Sequence, residues 1–296
     1  MAKTNGNAGR RLGDRREGRQ LRSLEGSANL SPYVMRRRSD ACDCYEDNIE
    51  ISALEQWLMD KRAEGSTAMN FTHLMVAAYV RTVSMRPGIN RFVSARRIFA
   101  RNDIQVVLRV RKGVGSDSAW TSVKLSFSPT DTIYDVYSRI SDAVDNVQAG
   151  TGESDYDRMA ASMTRLSRFF LKPYLLCLRI LDYFDWLPKK FLSASPYHAS
   201  LSVLDLGSLG VQSVEHHLYD FGNLPLYLCY GAKRHVYELN KEGEVLDRHM
   251  VDLRFTVDER IANASYLVEA LKCMKYFLRN PQLLELPPEQ VAEDVN

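Results

Sequence analysis

The chain contains 296 residues; 45% are hydrophobic, 26% are charged, and the formal net charge at pH 7 is +2. This ordinary globular mixture excludes a wholly disordered chain, a collagen-like fibre, a simple coiled coil and a nucleic-acid-binding polycation. The length allows one large domain or two small ones. Five cysteines are too few, and odd in number, for a disulfide scaffold, which indicates a reducing compartment.

Both ends of the chain differ from its centre. Residues 1–25 are rich in Gly, Asn, Arg and Glu and hold few large apolar side chains, so we expect a flexible basic arm. This arm is either solvated or binds an anionic partner or another subunit. Residues 287–296 form an acidic C-terminal tail. No secretory signal is visible, and charges and prolines interrupt the most apolar stretch, 166–192; we expect no transmembrane segment and a cytoplasmic protein.

The first half of the chain predicts two helices followed by strands. Ser52 is a plausible N-cap, with Glu55 completing a capping box, for a helix that ends near Gly65. A second helix, over about 70–85, carries a broad apolar stripe and is stopped by Pro87 and Gly88. Apolar residues then alternate with polar ones over 91–128, which predicts strands joined by a turn at 113–118.

The second half of the chain mixes both kinds of element. Asp131 begins another helix, residues 149–157 read as a surface loop, and apolar helical segments fill 158–193. Further strands are predicted at 199–205, 224–231 and 249–256, before a last helix over about 264–279. Because hairpin-like strand pairs alternate with helices, we predict an α/β two-layer sandwich with a mixed sheet. No Gly-rich phosphate loop or Rossmann fingerprint is present.

Three short motifs carry a family resemblance. Residues 86–93 (RPGINRFV) resemble an R-P-x-L-N junction, residues 201–210 (LSVLDLGSLG) resemble F-T-I-S-N-L-G-x-x-G, and residues 258–264 (DERIANA) stand where D-H-R-V-I-D-G is expected. Residues 49–55 and 102–108 add a matching strand-to-helix entry and a first sheet strand. Over about residues 32–286, the chain therefore resembles the chloramphenicol acetyltransferase-like superfamily, and most closely the catalytic domain of dihydrolipoyl acyltransferases.

The resemblance implies an assembly and a reaction. Members of the family form homotrimers whose active sites lie at subunit interfaces, in a tunnel that coenzyme A enters. A histidine takes the proton of the acceptor, and a serine or threonine of the neighbouring subunit stabilises the oxyanion, which are contributions of roughly 10²–10⁴-fold and about 3–4 kcal/mol. We therefore expect residues 26–286 to be a CoA-dependent acyltransferase domain acting on a small thiol, hydroxyl or amine acceptor.

The sequence departs from the family at the reacting groups. Glu259 occupies the position of the histidine, Asn263 that of the following Asp, and Leu204 or Asp205 that of the serine. A free Glu has a pKa of about 4.3 and a thiol one of about 8.5, which sets roughly 5–6 kcal/mol against proton transfer. Glu259 is thus either a base whose pKa is raised by burial or a carboxylate paired with Arg260 or another group.

The adjacent histidines His216 and His217 offer a second base. In an extended segment their side chains point to opposite faces, so one can face a tunnel while the other packs; a surface or interface position is the alternative. Short relatives without a lipoyl domain resemble this chain in carrying H-H-L-Y here and D-E-R-I at 258–261, which implies a subfamily with a rearranged site. We take His216, His217 and Glu259 as catalytic candidates and the following as supporting residues: Asn263, Asp205 and Arg260.

The remaining features limit cofactors and partners. No residue is assigned to coenzyme A binding, and no metal site is expected, since neither the paired histidines nor Cys42 and Cys44 have further ligands at suitable spacing. His198 is expected in a loop near the tunnel. Apolar residues within 169–184 line an acyl pocket, touch a membrane or cover the sheet, and covering the sheet is the default expectation.

Two functions remain open at this point. The 38 residues before Ser39 are too few for a lipoyl domain, so we expect no lipoyl group on this chain and no role as a swinging-arm core. The partners expected are two further copies of the chain and a small acyl acceptor, without nucleic acid. The alternative to an active enzyme is a catalytically inactive trimeric binding or scaffold protein that retains the fold.

Overall fold

The protein contains a mixed sheet of seven strands. Its structure is a computed structural model that describes residues 11–66, 68–112, 119–149 and 154–296. The strands are β1 (Gly18–Gln20), β2 (Cys42–Glu50), β3 (Arg91–Ser94), β4 (Arg97–Arg101), β5 (Ile104–Arg111), β6 (Trp120–Phe127), β7 (Leu201–Asp205), β8 (Leu226–Tyr230), β9 (Arg234–Leu239) and β10 (Val245–Asp258). The helices are α1 (Gly26–Val34), α2 (Ser52–Ala63), α3 (Phe71–Met85), α4 (Ile133–Gln148), α5 (Asp155–Thr164), α6 (Arg168–Tyr183), α7 (Lys189–Ala194) and α8 (Ala264–Arg279).

The large sheet has the strand order β2-β10-β8-β7-β5-β6, with β9 pairing to the first half of β10. Strand β7 runs parallel to both neighbours, β5 and β8, while the other pairs are antiparallel. The predicted α/β sandwich with a mixed sheet is therefore confirmed. Strand β9 and the short strand β1 lie outside the strands that the sequence predicted.

One face of the sheet carries most of the core. Alternate residues of each strand point to this face, as Leu226, Leu228 and Tyr230 do in β8, and pack against α2, α3, α4 and α8. The opposite face is covered by the segment between β7 and β8 and holds a smaller apolar cluster that includes Leu218 and Tyr227. The sandwich is thus well filled on the helical side and thinly covered on the other.

The N-terminal segment differs from the predicted flexible arm. Residues 1–10 lie outside the described part of the chain, but β1 pairs with β4 in a second sheet of order β1-β4-β3. Leu21 is buried in the main core, and Arg15 is buried against Asp182. Residues 11–25 therefore belong to the domain, because edge-strand pairing and ion pairs order a segment that has little apolar surface of its own.

The acidic C-terminal tail is also tied to the domain. The carboxylate of Asp294 accepts a hydrogen bond from the Nε of Arg91 at 2.7 Å, and the backbone N–H of Ala292 donates to the carbonyl of Ser84 at 2.7 Å. The carbonyl of Asn296 accepts from the backbone N–H of Arg22 at 3.0 Å. Residues 19–23 and the C-terminal tail therefore lie together beside the small sheet, a contact that the composition of neither segment predicted.

Two helix predictions need correction. Helix α2 has no side-chain cap, since Ile51 holds the N-cap position and Glu55 instead bonds His249 and Lys233. Helix α6 does not cover the sheet, because only Leu178 of its residues is buried. By contrast, α3 begins at its Asn70 cap and α8 spans the predicted residues. The predicted turn at 113–118 and part of the loop at 149–157 lie outside the described residues.

Candidate functional site

A buried charge cluster closes the end of β10. Asp258 is fully buried, and its two carboxylate oxygens each accept a hydrogen bond from Arg260, from Nε and Nη2, at 2.7 Å. The Nε of Arg38 also donates to this carboxylate at 3.3 Å. Two guanidinium groups around one carboxylate leave an excess positive charge at this end of the sheet. Arg260 is therefore the partner of Asp258 and not of Glu259.

Glu259 stands beside this cluster with an uncommitted carboxylate. Its backbone N–H donates to the carbonyl of Ala41 at 3.0 Å, but within the described ranges its side chain makes no hydrogen bond or ion pair. Burial, followed by the charges of Asp43 and Asp258, raises the pKa of Glu259, and Arg260 opposes this. A raised pKa is the direction that a glutamate needs in order to act as a general base.

His216 lies on the thinly covered face of the sheet. Its ring stacks on Tyr227 with 3.9 Å between centroids and an interplanar angle of 3°. Its Nδ1 is 2.8 Å from the carbonyl oxygen of His217; because a carbonyl only accepts, Nδ1 carries the hydrogen in the neutral ring and Nε2 keeps its lone pair. Burial lowers the pKa of His216, which favours that neutral form. His217 is exposed, and its ring stacks on that of His216 with 5.2 Å between centroids, so the expectation that the two side chains point to opposite faces is wrong.

Asp205 ends β7 and lines a cavity of about 390 Å³ between the sheet, α2 and the start of α3. Two hydroxyl groups stand in this cavity, Thr72 Oγ1 and Tyr230 Oη, 2.6 Å apart. Burial, followed by the charge of Asp205, raises the pKa of Tyr230 well above its usual value, so the phenol stays protonated. We call this the hydroxyl cavity; one wall is apolar, formed by residues such as Leu54 and Phe71.

Asn263 has a structural place. It is the N-cap of α8, and its side-chain oxygen accepts from the backbone N–H of Tyr266 at 2.9 Å. That bond satisfies one of the free amides at the start of the helix. Asn263 therefore stabilises the start of α8, the helix that follows Glu259.

The strand register separates the candidates into two groups. Asp205 on β7 is paired with Tyr230 on β8, and Tyr230 is paired with Leu253 on β10. Leu253 precedes Glu259 by six residues. Since an antiparallel strand rises about 3.4 Å per residue, Asp205 and Glu259 are roughly 20 Å apart along the sheet. His216, by contrast, stacks on Tyr227, which pairs with Thr256, at the Glu259 end. A single chain thus holds the two parts of the expected site at opposite ends of its sheet.

His198 lies in the loop before β7, as expected, but it is fully buried. Its Nδ1 is 2.8 Å from the hydroxyl of Ser195, and its Nε2 is 3.4 Å from the carboxylate of Asp182. The residue types resemble a nucleophilic triad, but Ser195 and His198 are both fully buried. The arrangement holds α6 and the loop before β7 together.

One metal-type cluster was missed by sequence spacing. Among the described residues, His235, Asp247 and His249 bring three ligand atoms within 4.8 Å of one another on the β9–β10 hairpin. Strand pairing, which sets His235 opposite His249, creates the cluster. Carboxylates already satisfy both rings, since Asp247 lies 3.0 Å from His235 Nδ1 and Glu55 lies 2.6 Å from His249 Nδ1.

Solved structures share this fold at low sequence identity. The cubic core of the pyruvate dehydrogenase multienzyme complex superposes with a TM-score of 0.57 at 11% identity, covering 88% of this chain and 89% of that one. The dihydrolipoamide acetyltransferase of Azotobacter vinelandii, in whose mechanism a serine, a histidine and an asparagine have been investigated, gives 0.58 at 11% identity and covers 88% and 89%. Chloramphenicol acetyltransferase gives 0.55 at 10% identity and covers 88% and 99%.

No protein-family model and no curated protein matches the chain. The structural neighbours show that the chain has the chloramphenicol acetyltransferase-like fold and that acyltransferase catalytic cores share it. The resemblance stated from the short motifs is therefore confirmed for the fold.

Proposed function

We propose that this protein is a CoA-dependent acyltransferase of the 2-oxoacid dehydrogenase catalytic-domain type, with a non-standard active site completed between protomers of a homotrimer. The observation that carries this proposal is the hydroxyl cavity at the end of β7, in a fold shared with acyltransferase catalytic cores. The cavity lies where the resemblance places the oxyanion-stabilising serine, although Leu204 and Asp205 occupy that stretch of sequence.

The hydroxyl groups of the cavity supply the donor that the strand lacks. Thr72 and Tyr230 come from α3 and β8 and share a hydrogen bond, so either hydroxyl can turn its hydrogen toward a thioester oxygen in the cavity only by leaving its present partner. A donor of this kind, aimed at the oxyanion, is worth about 3–4 kcal/mol of transition-state stabilisation. Burial, followed by the charge of Asp205, raises the pKa of Tyr230 and keeps its phenol protonated.

Glu259 of a neighbouring protomer is the proposed base. Its carboxylate takes the proton from the thiol, hydroxyl or amine of the acceptor, and the acceptor atom attacks the thioester carbonyl. The carbon–sulfur bond breaks when the tetrahedral intermediate collapses, and the CoA thiolate leaves with the proton that Glu259 holds. His216 at the same end of the sheet is the alternative base, since its Nε2 is unprotonated in the neutral ring.

Assembly follows from the separation of the two groups. Roughly 20 Å divides Glu259 from Asp205 in one chain, so a complete site needs the Glu259 end of one protomer and the hydroxyl cavity of the next. The cubic core of a pyruvate dehydrogenase complex is an oligomer with the same fold. This supports a homotrimer as the working form.

The second candidate is a catalytically inactive trimeric binding or scaffold protein. It is favoured by one observation: Glu259 and Asp205 replace the histidine and serine that the resemblance expects. Such a protein would retain the hydroxyl cavity as a ligand site without turnover.

Calorimetric titration with acetyl-CoA and with free CoA tests donor binding without any assumption about the acceptor. We expect micromolar affinity for both ligands that changes little in Thr72→Val and in Tyr230→Phe, because their hydroxyl groups are proposed to act on the oxyanion of the transition state. Each substitution should instead lower kcat at least tenfold. Absence of binding up to millimolar CoA in a correctly assembled trimer would overturn the acyltransferase proposal.

Turnover then separates the enzyme from the scaffold. With a panel of thiol, hydroxyl and amine acceptors, Glu259→Gln should lower kcat at least a hundredfold while CoA binding persists. The matched control is Glu46→Gln, an exposed glutamate on the neighbouring strand β2 that pairs with Arg254. If Glu259→Gln retains full activity while His216→Ala loses it, the base is His216 and our assignment of Glu259 is wrong.

A further inference from the structure

Helix α6 exposes a continuous apolar stripe. Phe169, Pro173, Leu176, Ile180 and Tyr183 follow one another at spacings of four, three, four and three residues, which places them on one face of a helix. All five are exposed, and Phe169 is 81% exposed. The opposite side of the helix carries the buried Leu178. The stripe is therefore an outward face and not a misplaced part of the core.

Cations border this stripe on one side. Three basic residues of α6 point in nearly the same direction from the helix axis, next to the apolar stripe: Arg168, Lys172 and Arg179. All three are exposed, and nothing in the described ranges forms a hydrogen bond or an ion pair with their side chains. Helix α6 thus has an apolar face and an adjoining, uncompensated positive edge.

Aromatic rings continue the stripe past the end of the helix. Tyr183, Phe184 and Trp186 contact one another with centroid distances of 5.1 and 5.0 Å, and Trp186 is 63% exposed. These rings line a cavity of about 510 Å³ whose other walls include Arg16 and Arg97. Tyrosine and tryptophan between apolar and charged groups are the side chains that settle at the headgroup level of a bilayer.

Beside these rings lies a second cavity, of about 360 Å³, which we call the arginine cavity. Six arginines and two aspartates line it together with apolar groups. Asp182 pairs with Arg15, and Asp220 accepts from the backbone N–H and hydroxyl of the neutral Ser39 and keeps its charge, so the six arginines outnumber the two acids. The arginines are Arg36, Arg37, Arg38, Arg96, Arg179 and Arg260.

Most of these guanidinium groups are uncompensated. Over the described ranges, Arg36, Arg37 and Arg179 make no hydrogen bond or ion pair, while Arg96 lies over the ring of Tyr33. Arg96 and Ala95 both adopt left-handed backbone conformations, with φ of 60° and 47°, which presents Arg96 at the tip of the β3–β4 hairpin. Clustered like charges repel one another, so this surface is suited to an anionic ligand.

We propose that the α6 stripe, the aromatic cluster and the arginine cavity form one docking face for an anionic phospholipid bilayer. The apolar side chains enter the acyl-chain boundary, and the arginines bind the phosphate groups of the lipids. Apolar burial and electrostatic attraction are the two signals that together give stable peripheral binding. The protein lies on the bilayer and does not cross it, since no helix in the described residues is long and apolar enough to span one.

A bilayer suits this face better than a second copy of the chain does. The homotrimer proposed above joins Glu259 of one protomer to the hydroxyl cavity of the next, and neither lines the arginine cavity. In a two-fold contact between identical faces, the arginine cavity of one copy would approach that of the other, which costs electrostatic energy. A small soluble phosphate would engage the arginines but leave the aromatic rings in water. Only a surface that is anionic outside and apolar inside complements both halves of the face.

Vesicle co-sedimentation of the full chain tests the proposal. We expect binding to vesicles of phosphatidylcholine mixed with phosphatidylglycerol, weak binding to phosphatidylcholine alone, and loss of binding at high salt. The triple substitution Arg36→Gln, Arg37→Gln and Arg179→Gln should lower the partition coefficient roughly a hundredfold. Leu176→Ser should lower it about tenfold through the loss of apolar burial.

The matched control lies on another exposed apolar surface. Tyr237→Ser with Leu239→Ser, on the β9–β10 hairpin, removes two exposed apolar side chains that do not line the arginine cavity and should leave vesicle binding unchanged. Equal losses in the control and in Leu176→Ser would overturn the proposal, as would absence of binding to anionic vesicles.

Two other occupants give distinct results. If the face covers a second copy, sedimentation velocity will show that Leu176→Ser dissociates an oligomer in the absence of lipid. If the arginine cavity serves a soluble anion, calorimetry with glycerol 3-phosphate will show tight binding without vesicles. Either result contradicts a membrane-docking face.

Discussion

Helices α3 and α6 are of similar length and are both rich in apolar residues, yet the fold treats them in opposite ways. Every residue of α3 from His73 to Ser84 is buried, because the helix lies between the sheet and its neighbours α4 and α8. Helix α6 buries only Leu178. The apolar content of a helix therefore sets how much apolar surface it has to bury, whereas its position relative to the sheet decides how much of that surface is buried.

The two helices are also held by different forces. Helix α3 is held by continuous apolar packing around residues such as Leu74 and Tyr79. Helix α6 rests on a satellite cluster of three buried leucines and on the carboxylate of Asp182, which binds Arg15 at 2.7 Å and lies 3.4 Å from His198. We therefore expect α3 to open only with global unfolding and α6 to open locally, which hydrogen exchange can measure.

The largest effect is expected in α3. Leu74→Ala removes a fully buried side chain from the main core and should lower the free energy of unfolding by about 3–5 kcal/mol. Urea denaturation followed by circular dichroism measures this. A loss below about 1 kcal/mol would show that α3 is not the centre of the core.

A smaller effect is expected at the one buried position of α6. Leu178→Ala should cost about 2–3 kcal/mol and act mainly on the local opening of 155–194, because its partners are Leu187 and Leu192 rather than the main core. Hydrogen exchange should show faster exchange in α6 with α3 unchanged. Equal acceleration in both helices would contradict the idea of a separate satellite cluster.

The charged support of α6 should give a still smaller, pH-dependent effect. Burial acts to raise the pKa of Asp182, but the hydrogen bond and charge of His198, with Arg15, outweigh it and hold the pKa below its ordinary value. Asp182→Asn should therefore cost about 1–2 kcal/mol at neutral pH.

The sign of the pH dependence follows from linkage. Because the folded pKa of Asp182 lies below the unfolded value of about 3.9, its contribution is complete above that pH and is lost as the pH falls further. The difference in unfolding free energy between the wild type and Asp182→Asn should shrink as the pH falls from about 4 through the folded pKa, as urea titrations at each pH measure. A difference that stays constant over this interval would mean that the carboxylate charge does not support α6.

The smallest effect is expected on the exposed stripe. Leu176→Ala should change the free energy of unfolding by less than about 0.5 kcal/mol, since this side chain is exposed. The same urea titration measures it. A cost comparable to that of Leu178→Ala would show that the stripe is covered in solution and that α6 has a second buried face.

Some residues of the candidate site are placed by local sequence motifs, and others are brought together only by contacts between distant parts of the chain. The positions of Asp205 and Glu259 at strand ends follow from the motifs at 201–210 and 258–264, and the raised pKa of Glu259 is in the direction that its proposed role as base requires. The hydroxyl pair in the cavity, in contrast, joins Thr72 and Tyr230 across 158 residues of sequence. No spacing rule connects two such residues, because strand register and helix docking bring them together.

Local periodicity determined the elements of this protein that depend on neighbouring residues, whereas the capping box predicted at Ser52 did not form. Asn70 begins α3, residues 264–279 form α8, and alternating apolar residues form β5 and β6, as their spacing predicts. Tertiary structure alone decided the order of 11–25 and 287–296, the cover of α3 and the exposure of α6. Those outcomes depend on edge pairing, ion pairs and the area available on each face of the sheet, which are set by contacts between residues far apart in the chain.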